Sequence, residues 1–109
     1  MMKEQRQQLP VGTVVNLVNE SVNIAIIGQY PIVKNEVREG YFDFAGVILP
    51  IGFDAEHTVF FNKEDIERVI FLGYIDVDFQ NFLNESDKFE KSTELKKLSI
   101  MEVTDTDEK

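Results

Sequence analysis

An alternation of period two, met twice in the first half of the chain, constrains the fold most. Over Val22–Gly28 (VNIAIIG), Val22, Ile24 and Ile26 fall on one side, and Asn23, Ala25 and Ile27 fall on the other. In YFDFAGVIL, residues 41–49, one side takes Phe42, Phe44, Gly46 and Ile48, and the other takes Tyr41, Asp43, Ala45, Val47 and Leu49. Successive side chains of a strand point to opposite faces, whereas a helix repeats every ~3.6 residues, so both stretches specify strands. Upstream, Thr13–Val18 (TVVNLV) is β-branched and apolar, and Asn19-Glu20-Ser21 is a turn, which predicts a β-hairpin with Val22–Gly28. Proline has no N–H to give a ladder, so Tyr30-Pro31 should end regular pairing. Lys34–Gly40 (KNEVREG) reads as a charged loop.

The tetrapeptides Leu9-Pro10-Val11-Gly12 and Leu49-Pro50-Ile51-Gly52 nearly repeat, but the first precedes a strand and the second follows one. Punctuation by Pro and Gly explains them better than duplication. Phe53–His57 is read as a loop and Thr58–Phe61 as a short strand. Asn62 is read as the N-cap of one helical turn over Lys63–Ile66, favoured by the acids Glu64 and Asp65. Arg68–Tyr74 (RVIFLGY) fits a turn followed by a strand, because β-branched and aromatic residues dominate and Gly73 suits a helix poorly. Asp76–Glu90 is the clearest helix. Asp76 caps it, Phe79, Phe82, Leu83, Ser86 and Phe89 share one face, and Asp78, Glu85, Asp87 and Glu90 are assigned to the outer face. Within Leu95–Val103 the apolar residues are too many for a plain linker; a second helix or strand is expected, docking at home or on a partner.

These elements predict an α+β fold: a bent antiparallel β-meander of four to five strands with a C-terminal amphipathic helix packed on one side. The 109 residues suit one domain. Residues 1–8 are expected to be a flexible N-terminus, 9–90 the globular domain, and 91–109 an acidic, partly disordered tail.

Formal net charge is −9. Residues 1–40 hold four basic and four acidic residues, so the seven basic and sixteen acidic residues of 41–109 account for all of it. Such a surface repels phosphate backbones and anionic lipid, so neither nucleic acid nor membrane is an expected partner. No stretch approaches the ~18 apolar residues that span a bilayer, and no export signal is visible, so a cytoplasmic location is expected.

Cysteine is absent, which excludes disulfides and thiolate chemistry. The single histidine, His57, lies in an acidic loop, and no serine sits in a nucleophile motif. No His/Cys cluster offers a metal site. Asp76-Val-Asp78 and Asp105-Thr-Asp107 lack the glycine and distal glutamate of a calcium loop. The glycines are too scattered for a phosphate-binding loop. The expectation is a non-enzymatic protein without cofactors.

The succession LPVGTVVNL, IAIIGQY, YFDFAGVILPIG and FFNKEDIERVIFLGYIDVDFQNFL resembles a family of small domains of unknown function encoded in type VIIb secretion loci of Gram-positive bacteria, beside genes for LXG-type toxins. The resemblance covers about residues 9–90, and FNKEDIERVIFLGY leading into an acidic helix is its most specific part. It implies a cytoplasmic chaperone or targeting factor that binds a cognate toxin, at its N-terminal helical region, before export. The alternative is an immunity protein that neutralises the toxin's catalytic domain. A chaperone needs an apolar strip. Most of the nine Phe residues are expected in the core, with one or two of Phe53, Phe79, Phe82 and Phe89 facing the partner and Pro50, at the start of the loop Pro50–His57, also expected at the contact.

Overall fold

The computed structural model describes residues 7–100. Strand β1 (Val14–Leu17) turns at Asn19, whose φ is 67°, and pairs antiparallel with β2 (Ile24–Gln29). Next come β3 (Ile32–Lys34), β4 (Glu39–Tyr41), β5 (Phe44–Ile48), β6 (Val59–Phe61), β7 (Ile66–Phe71), α1 (Val77–Ser92) and β8 (Lys96–Lys97). Five strands form an antiparallel sheet in the order β6-β5-β2-β1-β7, and β3-β4-β8 form a second sheet. The α+β class and the antiparallel meander expected from the sequence are therefore present.

The bend of the sheet follows from chain length. A flat five-stranded sheet would hold β6 and β7 about 19 Å apart. The chain crosses from Phe61 to Ile66 through a 3-10 turn over Lys63–Asp65, a reach of roughly 15 Å at most. The sheet must curl until its edges approach. Its concave face then gathers the core: Val15, Leu17, Ile24, Ile26, Phe44, Phe61 and Ile66. The alternation in β2 behaves as read, with Ile24 and Ile26 buried and Ile27 exposed.

The stretch 41–49 is not one strand. Tyr41 ends β4 in the second sheet, and Phe44 begins β5 in the first. Opposite this break lies a second one, where Tyr30 takes a φ of 52° between β2 and β3. The Tyr30 N–H donates to the Asp43 carbonyl at 3.0 Å, and the Phe42 N–H donates to the Pro31 carbonyl at 3.1 Å. The two breaks thus form one corner of a long hairpin, β2-β3 against β5-β4, and its two halves belong to different sheets. Pairing resumes beyond Pro31, so the expected loop over 34–40 contains the β3-β4 turn and most of β4. Side-chain alternation runs through such a corner unbroken, which hides it in the sequence.

Both Leu-Pro-x-Gly segments end at a glycine of positive φ, 96° at Gly12 and 89° at Gly52. This is the region where glycine alone avoids a steric cost, and it accounts for the repeat as turn chemistry.

Helix α1 opens as expected, with Asp76 Oδ1 accepting from the Phe79 N–H at 2.8 Å. It runs two residues past Glu90, and the chain then returns to the domain. β8 pairs parallel with β4, and Leu98 is 1 % exposed. A Cβ at Gly40 would lie 2.3 Å from the Lys96 carbonyl oxygen and 2.7 Å from Leu98 Cγ, so this close packing needs a glycine. The apolar residues seen in 95–103 are thus explained at home for Leu98 and Ile100, while 101–103 lie outside the described residues, as do 1–6 and 104–109. Gln8, placed by the sequence in a flexible segment, is buried; its Nε2 donates to Gln29 Oε1 and to the Asp43 carbonyl, each at 2.8 Å.

Candidate interaction surface

A polar network lies where the hairpin corner meets α1 and β8. Asp43 is fully buried, and its Oδ2 accepts from the Lys63 N–H at 2.9 Å and pairs with Lys97 Nζ at 2.9 Å. Lys63 Nζ stands 3.8 Å from Asp43 Oδ1 and donates to Glu90 Oε2 at 2.6 Å, and the Tyr30 hydroxyl donates to the same Glu90 oxygen. Glu90 therefore sits on the inner side of α1, not on the outer face assigned from its spacing. Burial raises the Glu90 carboxyl pKa, but the Lys63 and Tyr30 hydrogen bonds outweigh it and leave the group below its ordinary value. Asn62 is the N-cap of the turn over Lys63–Asp65, as expected, and its side chain also reaches into the network. It accepts from the Asp43 N–H at 2.9 Å and donates to the Leu98 carbonyl at 2.7 Å, while Asp65 Oδ2 accepts from the Asn62 N–H. The network ties four elements together; the carboxylates of Asp43 and Glu90 face lysines. His57 lies elsewhere, in an exposed pair with Asp54 at 2.8 Å. Among the described residues no group of His, Cys, Asp and Glu could hold a metal ion.

The exposed apolar surface is concentrated on β7 and the segment after it. β7 borders the five-stranded sheet, and only its first residue, Ile66, is buried. Val69, Ile70, Phe71, Leu72, Tyr74 and Ile75 are each at least 44 % exposed. Residues of both strand faces are among them, so both faces are left about half open here. Two bulges interrupt the pairing with β1, leaving Ile70 and Glu67 without an opposite residue. Bulges of this kind twist an edge and discourage uncontrolled strand addition. Beyond β7 the chain borders a shallow groove of about 680 Å³ in which Leu9, Pro10, Leu72, Ile75, Phe79 and Leu83 supply the apolar walls.

The residues proposed from the sequence are distributed over this molecule rather than gathered in one patch. Phe79 lines the groove and packs on Phe82 at 6.0 Å between ring centroids. Phe82 also meets Tyr30 at 6.3 Å. Phe89 belongs to the domain, wedged against Tyr30 at 4.7 Å and Tyr41 at 5.2 Å. Phe53 is 71 % exposed in the β5–β6 connection, where Pro50 is exposed too, next to Ile51. Sequence reasoning missed the β7 residues. Their signal was present: an apolar run, Val69–Leu72, within the stretch read as a turn and a strand, flanked by acids at Glu64, Asp65 and Glu67 and again at Asp76 and Asp78.

A family model described as a domain of unknown function, DUF4176, matches residues 8–82, more than half of the chain. The chain belongs to the DUF4176 family. The match begins at buried Gln8 and takes in β1 through β7, most of the groove and the start of α1. Phe89, Glu90 and β8 fall outside it. No curated protein and no solved structure matches this DUF4176 chain. No helix among its described residues is long and apolar enough to cross a membrane.

Proposed function

We propose that this DUF4176 protein is a non-enzymatic chaperone or adaptor that holds another protein through the apolar surface of β7 and the adjoining groove. The observation that carries this reading is the run of exposed apolar residues from Val69 to Ile75 on an unpartnered edge. Single exposed apolar residues are ordinary, whereas a contiguous run with a polar rim is characteristic of an interaction site. The charged groups of the interior serve to join elements, which fits a scaffold role better than proton transfer. The client, following the resemblance to proteins of type VIIb secretion loci, is the N-terminal helical region of a cognate LXG-type toxin, bound in the cytoplasm before export. Apolar burial supplies the affinity, and the surrounding acids steer encounter and exclude wrong partners.

Co-expression with each half of the toxin encoded next to it tests the proposal. Co-purification with the N-terminal half, lost in Leu72→Asp, is the expected outcome. Co-purification with the C-terminal half alone would make the protein an immunity factor, and binding to neither half would defeat both readings.

A further inference from the structure

The curled sheet has an open end, and a second apolar cavity lies there, away from the β7 run. It measures about 530 Å³ and is walled by Leu17, Ile24, Ile48, Val59 and Ile100. That volume lies within the range of ~300–1,000 Å³ typical of small-ligand sites. The floor is the hydrophobic core itself, against which Ile48, Val59 and Ile100 pack. Val18 and Val22 stand half-exposed at the mouth. The remaining lining residues are polar: Asn19, Glu20 and Asp65. Two of these are carboxylates, and no Lys or Arg lines the cavity.

We infer that this cavity is a binding site for a cationic amphiphile, an aliphatic chain ending in an ammonium or guanidinium group. The chain lies among Leu17, Ile24, Ile48, Val59 and Ile100, and the cation meets the exposed Glu20 at the rim, with half-buried Asp65, whose Oδ2 accepts from the Asn62 N–H, adding negative charge beside it. Charge decides between occupants. A fatty acid would bring its carboxylate against two others. A second copy of this protein, at net charge −9, meets the same objection. A cation with an apolar stem satisfies both parts of the site. This inference stands independently of the role given to β7.

The probe is n-decylammonium, titrated into the full-length protein below its micelle concentration and followed by amide chemical shifts and calorimetry. Saturable binding of one equivalent is expected, with shifts centred on Leu17, Ile24 and Val59. Decanoate should bind at least roughly tenfold more weakly, and neutral decanol should lie between them. Glu20→Gln, at an exposed position, should weaken decylammonium roughly two- to fivefold and leave decanol unchanged. Val22→Phe, which narrows the mouth from a half-exposed site, should block all three ligands while the melting temperature holds. Equal or tighter binding of decanoate would overturn the inference, as would shifts centred on β7 and α1 or the absence of saturable binding.

Discussion

Asp43 is the residue on which most of the tertiary structure converges. Its carboxylate meets Lys97 and the Lys63 backbone, its N–H and carbonyl engage Asn62 and Gln8, and its own position is the corner between two sheets. Removing one member of a buried ion pair costs more than the pair contributes, because the remaining charge is left desolvated. Asp43→Asn should therefore cost roughly 3 kcal/mol in urea denaturation, whereas a change at the exposed Lys88–Glu85 pair should be near neutral. The titration of this cluster also has a direction. Hydrogen bonds to Asp43 and Glu64, with their charges, outweigh burial and raise Lys97 above its ordinary 10.5. Its stabilisation is complete below 10.5 and is lost as pH rises through the raised value. Burial, then the bond to Glu90, raises Tyr30 as well, so its ionisation also opposes the fold above its ordinary 10.0. Thermal stability should fall steeply above about pH 10, and Tyr30→Phe should flatten the slope without abolishing it. On the acid side the signs differ. Glu90 stabilises above its ordinary 4.5 and loses that contribution as pH falls through its lowered value. Asp65, raised chiefly by burial, favours the fold when protonated and partly offsets the loss. An alkaline curve identical in Tyr30→Phe and the parent would contradict the Tyr30 assignment.

Among the elements, α1 and β8 are attached by few but specific contacts. The helix has one buried residue, Ser86, and holds the domain chiefly through half-buried aromatics and Glu90. Phe89→Ala should thus cost roughly 2–3 kcal/mol, less than the ~3–5 of a fully buried phenylalanine. Amide exchange should quicken in α1 before it does in β1, β2 and β5. β8 is only two residues long, and Leu98 is its anchor. Gly40→Ala forces the Lys96 carbonyl and Leu98 away, so it should cost about as much as Leu98→Ala, roughly 2–5 kcal/mol. The two substitutions together should cost less than their sum, since each undoes the same contact. A neutral Gly40→Ala in chemical denaturation would show that β8 yields without loss.

For the whole molecule, the acidic surface and the uncovered edge act together. Phe71→Lys, at a position 61 % exposed, should leave the melting temperature within about a degree or two and abolish client capture. Because acids steer the encounter and apolar burial retains the client, added salt should slow association more than it quickens dissociation in stopped-flow and surface measurements. Comparable changes in both rates would indicate that charge, not apolar contact, holds the complex.

The linear sequence determined the local elements. The alternation at 22–28, the capped helix from Asp76 and the glycine-terminated turns all depend on neighbours a few residues away, and each is present; the strand expected within Arg68–Tyr74 is present too, but it starts earlier, at Ile66, directly after the 3-10 turn, and stops at Phe71. Tertiary structure decided what those elements face. The corner at Tyr30 and Phe42–Asp43 splits one alternating stretch between two sheets because two distant breaks hydrogen-bond across each other. Glu90 turned inward because Lys63 and Tyr30 wait on the opposing elements, and Phe89 packs half-buried at home because Tyr30 and Tyr41 lie against it. The β7 run remained exposed because strand order places it at an edge. An apolar strand reads the same whether its neighbour is another strand or solvent. Only the strand order, which pairs β7 with β1 and with no second strand among the described residues, determines which of the two it meets.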